Sequence, residues 1–178
     1  MHIILDLKDL LFDSSRKTAD IAVCLVGDNP ETFKKVLDFA MEDNGQFAMR
    51  AARVVNLAAL NHPELMQPYI NDIVKRLPGF KNDGLKRGIA KTLSERSFEL
   101  EENTLGILVD TCFQWLNDPQ EKIALKVYSM DILYRVSQSY PDIKPELISS
   151  LENELPKSSE AVGNRSKKIL KKLYSEII

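Results

Sequence analysis

His62-Pro63-Glu64-Leu65 returns 78 residues further on as Tyr140-Pro141-Asp142-Ile143, and Leu77-Pro78 returns as Leu155-Pro156. Upstream of each copy, Phe47, Ala51, Val54, Val55 and Ala58 map onto Leu125, Ser129, Ile132, Leu133 and Val136 at the same offset. Within each stretch the apolar residues recur at i, i+4, i+7 and i+8, which is one face of an α-helix. Self-similarity at a fixed period marks stacked supersecondary units. A plain helical bundle is the competing architecture, but nothing in a bundle demands this repeat.

A half-period is also visible. Leu85, Ile89 and Leu93 match Phe47, Ala51 and Val55, and Val162, Ser166, Ile169 and Leu170 match Leu125, Ser129, Ile132 and Leu133. A second helix follows each first one, carried by Ile70, Ile73, Val74 and Leu77, then by Leu105, Leu108, Cys112 and Trp115, then by Leu147, Leu151 and Leu155. Pro63 and Pro141 are expected to open that second helix, where a missing N–H costs little. Pro78-Gly79 and Pro156 close it. Ile21 and Leu25 mark a shorter first unit, whose next helix opens at Asn29-Pro30 and carries Phe33, Val36, Leu37 and Ala40. The expected organisation is one domain, 1–178, with a degenerate repeat at 15–42, complete repeats at 45–78, 82–117 and 120–156, and a terminal helix at 160–176. The expected fold is all-α, a right-handed α-α superhelix of HEAT- or armadillo-like repeats, about nine helices in four and a half hairpins.

Composition agrees. The 178 residues are 44% hydrophobic and 28% charged, with only 7 Gly and 8 Pro, as suits a soluble helical chain. A net charge of −2 argues against a wholly basic nucleic-acid binder. Cys24 and Cys112 lie in apolar segments without motif spacing, so buried free thiols in a reducing compartment are expected. Met1 to Asp9 is broken by charges and lacks a basic leader, unlike a signal peptide. No segment reaches the roughly 20 apolar residues of a membrane span. The expected location is the cytoplasm.

Several stretches resemble a family of small bacterial HEAT-like proteins of uncharacterised function. They are Met49-Arg50-Ala51-Ala52-Arg53-Val54-Val55, His62 to Tyr69, Leu85-Lys86-Arg87, Ala124 to Leu133, Tyr140-Pro141 and Asn164 to Leu170. The resemblance implies the fold and carries no catalytic motif. Some relatives are labelled adenylosuccinate lyase. That superfamily uses a mobile loop resembling Gly-Ser-Ser-x-Met-Pro-x-Lys-x-Asn, and the nearest stretch here, Lys157-Ser158-Ser159-Glu160-Ala161-Val162-Gly163, lacks its Met, Pro, Lys and Asn.

The residues themselves offer little chemistry. A metal site or a Ser-His-Asp triad would have to rest on His2 or His62. His62 sits in the inter-helix turn with Tyr140 as its repeat counterpart, so a ring plugging one corner explains both. Cys112 lies on the apolar stripe and reads as core. Pro78-Gly79 and Asp83-Gly84 are turns rather than phosphate loops. No cofactor and no metal are expected.

Charge is unevenly placed. Gly45–Lys91 holds eight basic against three acidic residues, Glu95–Glu121 one against seven, and Ala161–Ile178 five against one. Arg53, Lys91, Asp131 and Lys168 share one repeat position, and Arg50, Gly88, Tyr128 and Arg165 share another beside the core stripe. Arg50, Arg53, Lys86, Arg87, Lys91, Arg165 and Lys168 are therefore the candidate binding residues, for acidic peptide or phosphate. The competing reading is a solvated face, with Arg50 and Arg165 tying adjacent repeats to a carboxylate. The expected function is a non-enzymatic module that binds another protein, with nucleic-acid binding as the alternative. Five phosphate contacts would give a log–log salt slope of roughly −4.5.

Overall fold

The computed structural model describes Leu11 and residues 13–177; the readings of His2 and of the Met1–Asp9 leader lie outside them. Among the described residues there are nine α-helices and no strand. They are α1 (Arg16–Val26), α2 (Pro30–Met41), α3 (Gly45–Asn61), α4 (Ile70–Arg76), α5 (Asp83–Glu95), α6 (Glu102–Asn117), α7 (Ile123–Ser139), α8 (Lys144–Glu154) and α9 (Glu160–Ile177). They fall into two compact units, Met1–Leu100 with α1 to α5, and Glu101–Ile178 with α6 to α9.

The repeated proline corner governs both units. α3 and α7 are each 17 residues long and end on residues of matching geometry, His62 at φ −129°, ψ 73° and Tyr140 at φ −126°, ψ 78°. A residue before proline is sterically pushed out of the helical region, which ends each helix there. Each still donates its N–H to the carbonyl four residues back, His62 to Ala58 at 2.8 Å and Tyr140 to Val136 at 2.9 Å. A short 3₁₀ turn follows in both, Pro63–Leu65 and Pro141–Ile143.

Two expectations are corrected at this corner. Pro63 does not open the second helix directly: a further 3₁₀ turn, Gln67–Tyr69, built around Pro68, delays α4 to Ile70. In the other unit α8 begins immediately, with Pro145 in its first turn. Nor do the rings plug the corner. Tyr140 is 50% exposed, and the His62 side chain is 40% exposed with Nδ1 3.1 Å from Glu64 Oε1. The shared feature is backbone geometry.

In the first unit α3 is the central helix, packed against α1, α2 and α5. Its buried face is rich in small residues, Ala48, Ala51, Ala52, Ala58 and Ala59 with Val54 and Val55, so neighbours approach closely. On α5, a Cβ at Gly88 would lie 3.5 Å from Asn56 Cβ and 3.6 Å from Ala52 O. The Thr92 hydroxyl bonds to Asn56 Oδ1 at 2.5 Å across that interface, giving two buried polar groups a partner. α1 and α2 start on side-chain caps, Ser15 accepting from Thr18 N and Asn29 from Thr32 N, each worth about 1 kcal/mol. α1 turns in Ala19, Ala22 and Val26; Ile21 and Leu25 lie on this helix as expected, 37% and 45% exposed. Cys24, expected to be buried, is exposed on the same helix.

In the second unit α7 holds the centre, against α6, α8 and α9. Leu125, Ile132 and Leu133 of α7 are buried, as are Leu108, Cys112 and Leu116 of α6, Leu147 and Leu151 of α8, and Val162, Ile169 and Leu173 of α9. Burying each large aliphatic side chain contributes about 1.5–3 kcal/mol. Two charged residues enter this core, Lys126 and Glu154, each at 6% exposure.

Candidate functional site

The candidate cations separate into those engaged within the chain and those facing water. On α3, Arg50 is half-buried and donates from Nη1 to Leu11 O at 3.2 Å and from Nη2 to Gln46 Oε1 at 3.0 Å. Arg53 is exposed and donates from Nη1 to Ser14 O at 3.1 Å. Both guanidinium groups thus fasten the segment before α1 onto α3. On α5, Lys91 lies 3.7 Å from Glu95 one turn on. Lys86 is half-buried and Arg87 exposed on the same helix.

Arg165, on α9, grips Asp131 of α7 through both sides of its fork: Nε donates to Oδ1 at 2.6 Å and Nη2 to Oδ2. The Asp131 bonds hold the guanidinium pKa above its usual value, opposed by partial burial. Such a bidentate pair fixes orientation as well as distance. The structure therefore realises the tying role for Arg165. Asp131 and Lys168 share the outer repeat position, yet Asp131 turns its carboxylate to Arg165, while Lys168 is exposed.

Sequence reasoning passed over two further groups. Lys126 Nζ lies 2.8 Å from Glu154 Oε2 and 3.0 Å from Leu116 O, joining α7, α8 and the end of α6 with both side chains only 8% exposed. A lysine four and seven residues before the apolar Met130 and Leu133 sits on the stripe itself, and that was the available signal. The other group is on the outer side of α9, where Lys167 and Lys171 are exposed beside Lys168. Their i, i+4 and i, i+3 spacing was legible but was absorbed into a regional charge count.

Titration behaviour follows from these surroundings. Burial pushes the Cys112 thiol up to about 12, weakly opposed by the Ser129 hydroxyl and by Arg135; a thiol protonated at neutral pH is no nucleophile. Near the chain end, Glu176 accepts from Lys144 Nζ at 2.9 Å, Tyr134 Oη at 2.7 Å and Gln138 Nε2 at 3.1 Å, and the Lys144 bond leads in lowering it to about 2. Among the described residues no group of three or more His, Cys, Asp and Glu side chains is arranged to hold a metal ion. No described helix is long and apolar enough to cross a membrane.

The chain matches the family model described as HEAT repeat domain over residues 8–173. Neither the curated proteins nor the solved structures return a match.

Proposed function

The chain belongs to the HEAT repeat domain family, and from that premise we propose that it is a non-enzymatic helical-repeat module that binds another protein. The family match over residues 8–173 carries this reading, because stacked helical hairpins present extended surfaces to a partner. Helix faces that keep unpaired charge toward water support it further. The same reading sets the protein in a reducing, cytoplasmic setting, supported by two cysteines that are both free.

Nucleic-acid binding is the lesser reading, since Arg50, Arg53 and Arg165 already engage acceptors within the chain. Arginine forks are the groups best suited to phosphate, and those three are spent on structure. A lyase role would rest on Ser159, whose carbonyl accepts from Gly163 N at 2.9 Å in the turn entering α9.

The test is affinity capture by the tagged protein from nuclease-treated lysate of its source cells, with bound proteins identified by mass spectrometry. A single stoichiometric protein partner is expected, together with a nearly flat salt response toward duplex DNA. No protein partner, with a log–log salt slope near the roughly −4.5 of five phosphate contacts, would replace this reading with the nucleic-acid one. Turnover of adenylosuccinate that disappears in Ser159→Ala would replace it with an enzymatic one.

A further inference from the structure

We propose that the outer face of α9, carrying Lys167, Lys168 and Lys171, is the surface that meets the partner, and that it takes an extended acidic segment of a protein. This rests on the protein-interaction reading above. The three ammonium groups lie on one helical face, since residues three and four apart are neighbours on a helix. All three side chains are exposed, and no hydrogen bond or ion pair engages them among the described residues.

Several other cations of this unit are engaged within the chain. Lys126 pairs with Glu154, Lys144 with Glu176 and Arg165 with Asp131, while the Lys172 ammonium stands 4.8 Å over the Tyr134 ring. Where this unit uses a positive charge for its own stability, it supplies a counterpart. On the outer face of α9 it supplies none, although like charges one turn apart repel. An opposite charge from outside removes that repulsion.

Geometry narrows the partner. Lys167 and Lys171 are one turn apart, a rise of about 6 Å. Alternate side chains of an extended peptide stand on the same side, about 6.6 Å apart. An acidic residue at every second position therefore meets this face in register. Tyr174 borders the stripe with 45% of its surface exposed, offering a ring edge to the peptide stem while its hydroxyl donates to Glu152. Three phosphate contacts would give a nucleic acid a salt slope of about −2.7.

The experiment is fluorescence anisotropy at low salt with a labelled peptide alternating Glu and Ser, a control alternating Gln and Ser, and a short DNA duplex. The wild-type chain is expected to bind the Glu peptide saturably and the Gln peptide not at all. Combined Lys167→Glu, Lys168→Glu and Lys171→Glu substitution should weaken binding by at least about tenfold, with far-UV circular dichroism and denaturation midpoint preserved. Lys35→Glu, at an exposed position of α2, should leave it unchanged. Absence of binding by the wild type, binding indifferent to the triple substitution, or tighter binding of the duplex through the same lysines would each overturn the proposal. A captured partner retained by the triple variant would sink this surface and spare the broader reading; failure of the wild type to capture any protein would sink the broader reading itself.

Discussion

α3 and α7 are the same helix twice, equal in length and in the proline corner that ends them, yet their surroundings solve one polar problem in different ways. The problem is the last carbonyls of the preceding helix, which have no partner of their own. In the first unit they are met from the water side: Arg76 Nη2 donates to Met41 O at the end of α2, at 2.7 Å. In the second unit the cation comes from inside. Lys126 reaches Leu116 O near the end of α6 and takes Glu154 as its counter-ion. At the 78-residue offset Lys126 corresponds to buried Ala48, and Glu154 to Arg76. The repeat thus places a positive group at the end of the helix before the central one in both units. It does not dictate which helix provides it or how dry the position is, and dryness decides whether a carboxylate must come too.

That difference sets the largest expected effect. Glu154→Ala leaves the Lys126 ammonium buried without its charge partner, and such a loss costs about 3–5 kcal/mol. Arg76→Ala removes an exposed bond to a carbonyl and should cost only about 0.5–1.5 kcal/mol. Urea denaturation of both variants measures the contrast. Combined Lys126→Met and Glu154→Leu should recover most of the Glu154→Ala loss, because removing both charges also removes their desolvation cost. Equal destabilisation by the two single variants would dissolve the distinction between a wet and a dry helix end.

How much of this was legible in the sequence follows from the same pair of helices. Their existence, phase and termination could be read, because apolar spacing and the X-Pro steric rule are local. The candidate site was legible only as charge on helix faces. Periodicity placed Arg165 beside the core stripe, where a tie to a carboxylate is one of two readings, but it did not single out Asp131. It could not reveal that Arg53 reaches Ser14 O, since that depends on how the chain before α1 folds back.

Helix glycines test how tightly each unit packs, at a smaller scale. Gly106 lies in α6, and a Cβ there would find nothing within 4 Å; Gly88 lies in α5, where it would meet Asn56 Cβ at 3.5 Å. Replacing glycine by alanine in a helix interior gains about 0.5–1 kcal/mol when the space is free. Gly106→Ala should show that full gain as a raised denaturation midpoint. Gly88→Ala should gain less and still not destabilise, because 3.5 Å is ordinary contact. A loss at Gly88 would mean that α5 approaches α3 too closely for even one methyl group.

The smallest effect concerns two exposed carboxylates, one in each unit. Asp13 is drawn from near 3.8 to about 2, chiefly by the Thr18 hydroxyl and then by the Ser15 hydroxyl and N–H. Glu176 is drawn from near 4.5 to about 2, chiefly by its bond to the Lys144 ammonium, then by the Tyr134 hydroxyl and the Gln138 amide. Both folded values are depressed, so each carboxylate stabilises the fold above its unfolded value, and that contribution fades as pH falls toward about 2. Solvent screening keeps the effect slight at either site. The donors differ in charge, however: those on Asp13 are neutral, whereas the leading donor on Glu176 is an ammonium. Added salt screens the ammonium and leaves hydroxyl bonds nearly untouched. Carboxyl titrations followed by NMR at low and high salt should therefore show Glu176 rising slightly while Asp13 stays low. Glu176→Gln should also flatten the acid limb of stability between pH 4.5 and about 2. Equal salt shifts at the two sites would mean that Lys144 contributes to Glu176 as one more hydrogen-bond donor and not through its charge, and the ion pairs of the second unit would then have to be weighed as hydrogen bonds.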